Sequence, residues 1–234
     1  MLGIIVALAI SWLLIWLLHR QSLTVLGIVP SLNHLQDLVI GFIFCAAACS
    51  LYFFLQTAFI DNKWVVNENF TIQEFLKSVW WTFRSVLFEE IVFRGALLYI
   101  AIQKIGIKKA CILSACCFGV YHWFSYGAFG NPVQMAIIFI MTAIPGMAFA
   151  TAFAKTKSLY LPIGLHFGWN FVTIVIFSSG PLGRQLLFRE NDNKLDGIPS
   201  LLVFIFQIVA IPLVTYVYLR WVSKRIKLTH SGEQ

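Results

Sequence analysis

The sequence predicts an all-α, polytopic membrane protein, and three observations point to that fold class. Of the 234 residues, 59% are hydrophobic and only 12% are charged. A soluble domain is usually about 45–50% apolar and about 25% charged. The mean hydropathy is +0.82. The apolar residues also fall into long segments, and a helix needs about 20 such residues to cross a bilayer. We therefore expect one integral membrane domain over residues 1–234.

Seven hydrophobic segments predict a bundle of seven spans. In chain order they are Leu2–Leu18, Asp37–Ile60, Val79–Ile102, Ala110–Tyr126, Val133–Ala154, Leu159–Phe177 and Ser200–Val222. The first has no basic residue before it and no small-residue cleavage site, so it predicts a helix and not a signal peptide. Thr71 and Glu74 have capping-box spacing, which indicates that a helix begins there and enters the membrane as the third span. An eighth helix, from Thr71–Ser78 or Ser31–Gln36, is the alternative.

Prolines refine the second half of this prediction. Pro132 suits the first position of the fifth helix, because its missing N–H would have no partner there. Pro145 and Gly146 lie in the middle of the same span and predict a kink. Ser178–Pro199 is the longest polar loop, and a basic tail follows the seventh span.

Basic residues predict the orientation in the membrane. The ends after the odd-numbered spans carry ten of them: Arg20, Lys104, Lys108, Lys109, Lys155, Lys157, Arg220, Lys224, Arg225 and Lys227. The opposite ends carry five: Lys63, Lys77, Arg184, Arg189 and Lys194. The positive-inside rule then places the C-terminus in the cytoplasm and the N-terminus outside. Short loops and the lack of a targeting peptide favour a bacterial inner membrane. No nucleic-acid motif accompanies the net charge of +7, so the bilayer, and no nucleic acid, is the expected partner.

The five cysteines lie inside apolar segments and form no C-x-x-C pair, which argues against a disulfide framework or a zinc knuckle. We expect them to be small packing residues. They are Cys45, Cys49, Cys111, Cys116 and Cys117.

Three charged residues within the third span are the strongest functional signal. Glu89, Glu90 and Arg94 interrupt a membrane-length apolar run, and ionisable residues at such depth are costly and usually functional. Glu90 and Arg94 are four apart and share a helix face, so we expect them to pair. Glu89 lies about 100° around the helix and is free to act chemically. A structural ion pair in a transporter or channel helix is the alternative reading of this stretch.

Two histidines in other spans add to that signal. His122 has Phe118 four residues before it, and His166 has Asn170 four residues after it, each pair on one helix face. Glutamate, histidine and asparagine are residue types that activate a water and stabilise an oxyanion. Gly164–Gly168 has the small-xxx-small spacing that lets a neighbouring helix approach closely, which would bring His166 near another span.

The three motifs resemble those of the CPBP intramembrane proteases, which include the type II CAAX prenyl proteases and the bacterial Abi proteins. The resemblance covers Val79 to Phe177, so residues 79–178 are the expected catalytic core within the single domain. The motifs are Glu89-Glu90-x-x-x-Arg94, Phe118-x-x-x-His122 and His166-x-x-x-Asn170.

The resemblance implies a role for each residue. Glu89 would activate the attacking water with His122 as its partner, and His166 with Asn170 would stabilise the oxyanion. Glu90 and Arg94 would brace the site. Because family members are often labelled metalloproteases, Glu89, His122 and His166 could instead hold zinc. We favour the reading that needs no cofactor, with zinc as the alternative.

The expected function is therefore intramembrane hydrolysis of a peptide bond, either CAAX-type C-terminal processing or maturation of a bacteriocin or other peptide. The substrate would be a peptide or protein C-terminus, with or without a prenyl group. Non-catalytic readings, a bacteriocin-immunity factor or a proton-coupled transporter, are the alternatives. A transporter would spread polar residues along a path across the bilayer, whereas here they gather on three spans.

Overall fold

The computed structural model describes residues 1–177 and 181–231, with side chains up to Val222 in the last helix. The described chain is mostly helical, which confirms the predicted class of an α-helical membrane protein. Its helices are α1 (Leu2–His19), α2 (Leu32–Thr57), α3 (Ile72–Arg94), α4 (Ala96–Ile105), α5 (Ile107–Ser125), α6 (Pro132–Thr156), α7 (Tyr160–Asn170) and α8 (Gly197–Ser231). A 3₁₀ turn over Leu23–Leu26 follows α1, and a π-helical segment over Phe171–Phe177 extends α7.

Within the described ranges, five helices are long and apolar enough to cross a membrane. They are Leu2–His19, Leu32–Thr57, Pro132–Thr156, Tyr160–Phe177 and Gly197–Val222. The fourth predicted span corresponds to α5, which begins with the polar residues Lys108 and Lys109. The third corresponds to α3 and α4 together. The count of seven spans therefore stays a prediction.

The third predicted span is wrong as a single continuous helix, because the chain breaks at Gly95. Its φ of −78° and ψ of −131° lie outside the helical region. A Cβ at this position would overlap the carbonyl oxygen of Ile91, so the break requires glycine. The Gly95 N–H still donates to that carbonyl at 3.1 Å, which closes the last turn of α3 before α4 begins.

Neither segment that was the alternative source of an additional helix forms a helix of its own. The Thr71 hydroxyl accepts from the N–H of Glu74, and the Glu74 carboxylate accepts from the N–H of Thr71. This capping box makes Thr71–Ser78 the start of α3 itself. Ser31 likewise accepts from the N–H of His34 and caps α2, so Ser31–Gln36 belongs to that helix.

Helix α6 begins at one of the predicted prolines and contains the other, and the kink predicted at Pro145 stays a prediction. Asn131 caps it by accepting from the N–H of Gln134, and Pro132 occupies the first turn. Pro145 lies inside the helix and is buried. Since proline has no N–H to donate, the backbone around Pro145 lacks one helical hydrogen bond.

Helices α2 and α7 make a close contact through glycine. A Cβ on Gly164 would overlap the Leu38 carbonyl, and one on Gly168 would overlap the Phe42 carbonyl. The small-xxx-small spacing therefore does bring α7 against another helix, and that helix is α2, which carries none of the three motifs.

Two polar loops are joined by a short antiparallel ribbon that the sequence did not reveal. Strand β1 (Trp64–Val66) pairs with β2 (Leu187–Arg189). Ion pairs of Lys63 with Glu190 and of Arg184 with Glu74 add to this connection. Both strands lie in segments predicted as loops, and Ser178–Gly180 of the second loop fall outside the described residues. The side chains of the basic tail after Val222 also fall outside them.

The cysteines divide into two groups. Cys45, Cys49 and Cys111 are buried, as expected for packing residues, and all five thiols are free. Cys116 and Cys117 are exposed on α5, so the packing expectation is wrong for these two.

Candidate active site

The charged and polar residues of the three motifs lie together where α3, α5 and α7 meet. Glu89, Glu90 and Arg94 occupy the last turns of α3, just before the break at Gly95. His122 lies in the last turn of α5, and His166 lies in the middle of α7. Helix α6 closes this cluster from behind through Gly146 and Phe149.

A buried ion pair forms the base of the cluster. Arg94 Nη1 donates to Glu90 Oε1 at 3.1 Å, and both side chains have no exposed surface. Arg94 Nη2 donates to the carbonyl oxygen of Gly146 at 3.1 Å. The pair expected from the four-residue spacing is therefore formed, and it also ties α3 to α6.

Aromatic rings enclose the Arg94 guanidinium. Its Cζ lies 4.1 Å from the ring centre of Phe118 and 5.2 Å from that of Phe149, which are cation–π distances. A Cβ on Gly146 would come within 2.9 Å of Phe118 and 3.2 Å of Arg94 Nη2. Glycine at this position therefore leaves the space that the guanidinium and the ring occupy.

His166 is held by hydrogen bonds on both ring nitrogens. Its Nδ1 lies 2.7 Å from Glu90 Oε1, and because a carboxylate only accepts, Nδ1–H is the donor. In the neutral ring Nε2 is then an acceptor, and Asn170 Nδ2 donates to it at 3.1 Å. The ring of Phe149 stacks on the imidazole with a centroid distance of 4.9 Å. Tautomer and ring orientation are both fixed by these contacts.

His122 has the matching tautomer. Its Nδ1 donates to the carbonyl oxygen of Phe118 at 2.7 Å, since a carbonyl can only accept. Its Nε2 is therefore unprotonated in the neutral ring and faces Glu89 Oε2 at 4.0 Å. The Phe118 ring packs edge-on against this imidazole at 4.4 Å and so contacts His122 and Arg94 alike.

Glu89 points toward both imidazoles and is only 9% exposed. One oxygen, Oε1, accepts from the Ser85 hydroxyl at 3.3 Å. The other, Oε2, lies 4.0 Å from His122 Nε2 and 3.9 Å from His166 Nε2, and has no hydrogen-bond partner among the described residues. Glu89 Oε2 and His122 Nε2 are thus two acceptors that face each other, whereas His166 Nε2 already accepts from Asn170, and such a pair suits a small donor such as water.

These three atoms are also the ones that a zinc ion would need. Two ligands of a tetrahedral zinc ion, with bonds of about 2.0–2.1 Å, lie about 3.3–3.4 Å apart. The observed separations from Glu89 Oε2 are 4.0 and 3.9 Å. His166 Nε2 also already accepts from Asn170. No group of three His, Cys, Asp or Glu within the described parts of the chain is spaced to hold a metal ion. As arranged, the residues do not fit zinc.

The structure thus brings all six residues singled out in the sequence into one cluster. Sequence reasoning missed the bond from His166 to Glu90, the Gly146 acceptor and the Phe149 stack, because each joins helices far apart in the chain. Ser85 could have been found, since it precedes Glu89 by four residues on the same helix.

A comparison with known families agrees with this part of the chain. A family model described as type II CAAX prenyl endopeptidase Rce1-like matches residues 71–172, which include all six clustered residues. That segment overlaps the expected catalytic core, 79–178. No curated protein and no solved structure matches this chain.

Proposed function

We propose that this chain hydrolyses a peptide bond near the C-terminus of a peptide or protein, because residues 71–172 match the model of the Rce1-like type II CAAX prenyl endopeptidases. The chain is an integral membrane protein, so the substrate reaches the site from or within the bilayer. The proposed location is a bacterial inner membrane with the C-terminus in the cytoplasm.

One observation supports a water-activating glutamate more than any other. Glu89 Oε2 and His122 Nε2 are both acceptors, and they lie 4.0 Å apart. That distance is too long for a direct hydrogen bond but suits two groups bridged by one water through bonds of about 2.8 Å. A water between them donates one hydrogen to each, which orients its lone pairs away from both groups.

The proposed reaction starts from that water. Glu89 takes a proton from it as the resulting hydroxide attacks the carbonyl carbon of the scissile bond. The negative charge on the carbonyl oxygen is stabilised by a hydrogen bond from the second N–H of Asn170 Nδ2. The carbon–nitrogen bond then breaks, and Glu89 returns the proton to the leaving amine. His166 positions Asn170, and Glu90 with Arg94 hold His166.

The test is peptide cleavage by the purified protein in detergent. We expect wild type to cleave a peptide ending in a CAAX sequence, with prenylated and unprenylated forms compared side by side. Glu89→Gln keeps the shape but cannot accept a proton, so it should abolish cleavage while thermal stability stays near that of wild type. Glu68→Gln, at an exposed loop position, is the matched control and should retain full activity.

The same assay decides between the alternatives. Undiminished cleavage by Glu89→Gln would refute the proposed base. If folded wild type cleaves neither the prenylated nor the unprenylated peptide, the result would favour the non-catalytic readings, an immunity factor or a transporter. The metalloprotease mechanism would be established instead by three results together. Zinc would copurify with wild type in stoichiometric amount, it would be lost in His122→Ala and His166→Ala, and its removal by a chelator would stop cleavage.

A further inference from the structure

A lateral groove of about 830 Å³ lies between α5, α6 and α8 and contains none of the six clustered residues. Helix α6 packs against both α5 and α8 and forms the floor of this groove. Ile112 and Cys116 line it on the α5 side, and Pro212 and Leu219 line it on the α8 side. The feature is therefore separate from the proposed catalytic chemistry.

The interior of the lateral groove is apolar. Its two threonines satisfy their hydroxyls within their own helices: Thr151 Oγ1 donates to the Met147 carbonyl and Thr215 Oγ1 to the Ile211 carbonyl, each at 2.8 Å. The charged side chains that line it are Lys155 and Arg220. The groove thus combines a hydrocarbon-like surface with two cations.

The cations lie at one end, and the length of the groove fits one leaflet of a bilayer. Ala143 and Lys155 both line the groove and are twelve residues apart on α6. At 1.5 Å per residue this corresponds to about 18 Å along the helix. The hydrocarbon core of a bilayer is about 30 Å thick, so each leaflet contributes about 15 Å. Along α6 the groove is therefore about as long as one leaflet is thick.

Neither cation has a carboxylate partner among the side chains described up to Val222. Lys155 lies in the last turn of α6 and is exposed. Arg220 Cζ lies 5.2 Å from the ring centre of Tyr216, which holds the guanidinium at the edge of the groove. Two cations that have no carboxylate partner among the described side chains would attract an anionic headgroup at a membrane surface.

We propose that the lateral groove binds an anionic phospholipid of the leaflet on the Lys155 side. One acyl chain lies along the apolar floor on α6, and the phosphate contacts Lys155 and Arg220. The match in length favours a lipid chain over a soluble ligand. The charge at the end favours an anionic lipid over a zwitterionic one, whose phosphate is balanced by its own cation.

The experiment measures binding of phosphatidylglycerol and phosphatidylcholine to purified full-length protein in detergent, by native mass spectrometry and by the shift in unfolding temperature. A basic residue near an anionic headgroup strengthens binding about fivefold, since its contribution is about 1 kcal/mol. The double variant Lys155→Gln with Arg220→Gln should therefore bind phosphatidylglycerol about thirtyfold more weakly than wild type. Phosphatidylcholine should bind weakly to both proteins.

Two further variants separate the groove from general surface charge. Lys104→Gln with Lys108→Gln removes the same charge outside the groove and should keep wild-type affinity. Cys116→Phe adds a ring from an exposed groove position and should block phosphatidylglycerol without a change in charge. Unfolding temperatures without lipid verify that each variant is folded.

Several results would overturn the assignment. If the Lys104 and Lys108 control lost as much affinity for phosphatidylglycerol as the groove variant, binding would reflect only the general charge of the surface. If wild type bound both lipids equally, the two cations would have no role. Unchanged binding by Cys116→Phe would place the lipid elsewhere. Displacement of phosphatidylglycerol by a prenylated peptide would assign the groove to substrate. A dimer formed by cross-linking through Cys116 would assign it to a second copy of the chain.

Discussion

At the scale of single residues, the two adjacent glutamates divide structural and chemical work. Glu90 Oε1 accepts from both Arg94 and His166, so its charge is committed to the interior. Glu89 points about 100° away around the helix, as neighbouring helical residues do, and faces the two imidazole Nε2 atoms. Glu90 thus orients His166, and Glu89 faces the Nε2 atom of the same imidazole.

Substitution of Arg94 should first reduce the stability of the fold, and its effect on catalysis should follow from that. Arg94→Ala leaves the Glu90 carboxylate buried with His166 as its remaining partner, and removal of one member of a buried pair costs on the order of 3–5 kcal/mol. We expect a lower unfolding temperature and a lower folded yield in detergent. Arg84→Ala, on the same helix but in no ion pair that the structure describes, is the control. A stable and fully active Arg94→Ala protein would contradict the bracing role.

Asn170 should rank below Glu89 in importance. Asn170→Ala removes one oxyanion donor, which in other hydrolases lowers the rate by about 10²–10³, so residual cleavage should remain. The expected fall is in kcat, with KM nearly unchanged, because the bond strengthens as charge develops. Asn69→Ala, exposed in a loop, controls for loss of an amide elsewhere. Cleavage at the wild-type rate would remove Asn170 from the proposed mechanism.

At the scale of helices, the site depends on a contact that carries no motif. His166 lies between Gly164 and Gly168, and both glycines press against backbone carbonyls of α2. Since α7 is positioned by α2, the place of His166 relative to Glu90 is set from outside the three motif helices.

Because of this contact, alanine at Gly164 or Gly168 should change the stability of the protein in the direction opposite to the usual one. In a helix, Gly→Ala normally stabilises, by up to about 1 kcal/mol. Gly164→Ala and Gly168→Ala should instead destabilise by about 1–3 kcal/mol, because each new methyl group meets a carbonyl that cannot rotate away. Gly3→Ala in α1 is the matched control, since its Cβ would meet the Phe88 ring at an ordinary 3.5 Å. Thermal unfolding that ranks Gly3→Ala as the worst of the three would contradict the packing argument.

At the scale of the whole molecule, the sequence predicted those contacts and helix starts that depend on residues close together in the chain. The Glu90–Arg94 pair, the capping box at Thr71 and the start of α6 at Pro132 each involve residues within four positions. The break at Gly95 was missed because the apolar run continues through it. The bond between Glu90 and His166 was missed because it joins residues 76 positions apart, which only the packing of α3 and α7 brings together.

The orientation of the helix bundle in the membrane is also a prediction about the whole molecule. The ten basic residues after odd-numbered spans, against five on the opposite ends, predict that the C-terminus lies in the cytoplasm. Reporter fusions after Lys157 and after Lys194 should therefore report opposite sides, the first of them cytoplasmic. The same side for both fusions would rule out the proposed threading of the chain.

The space left by Gly146 has a consequence for how this protein can change over generations. Position 146 contacts both the Arg94 guanidinium and the Phe118 ring, and a single methyl group there would crowd both. The three positions should therefore vary together: a descendant that exchanges Gly146 for a larger residue should also have replaced Arg94 or reduced Phe118. A set of homologous sequences in which position 146 drifts freely while the other two stay fixed would show that the crowding is tolerated.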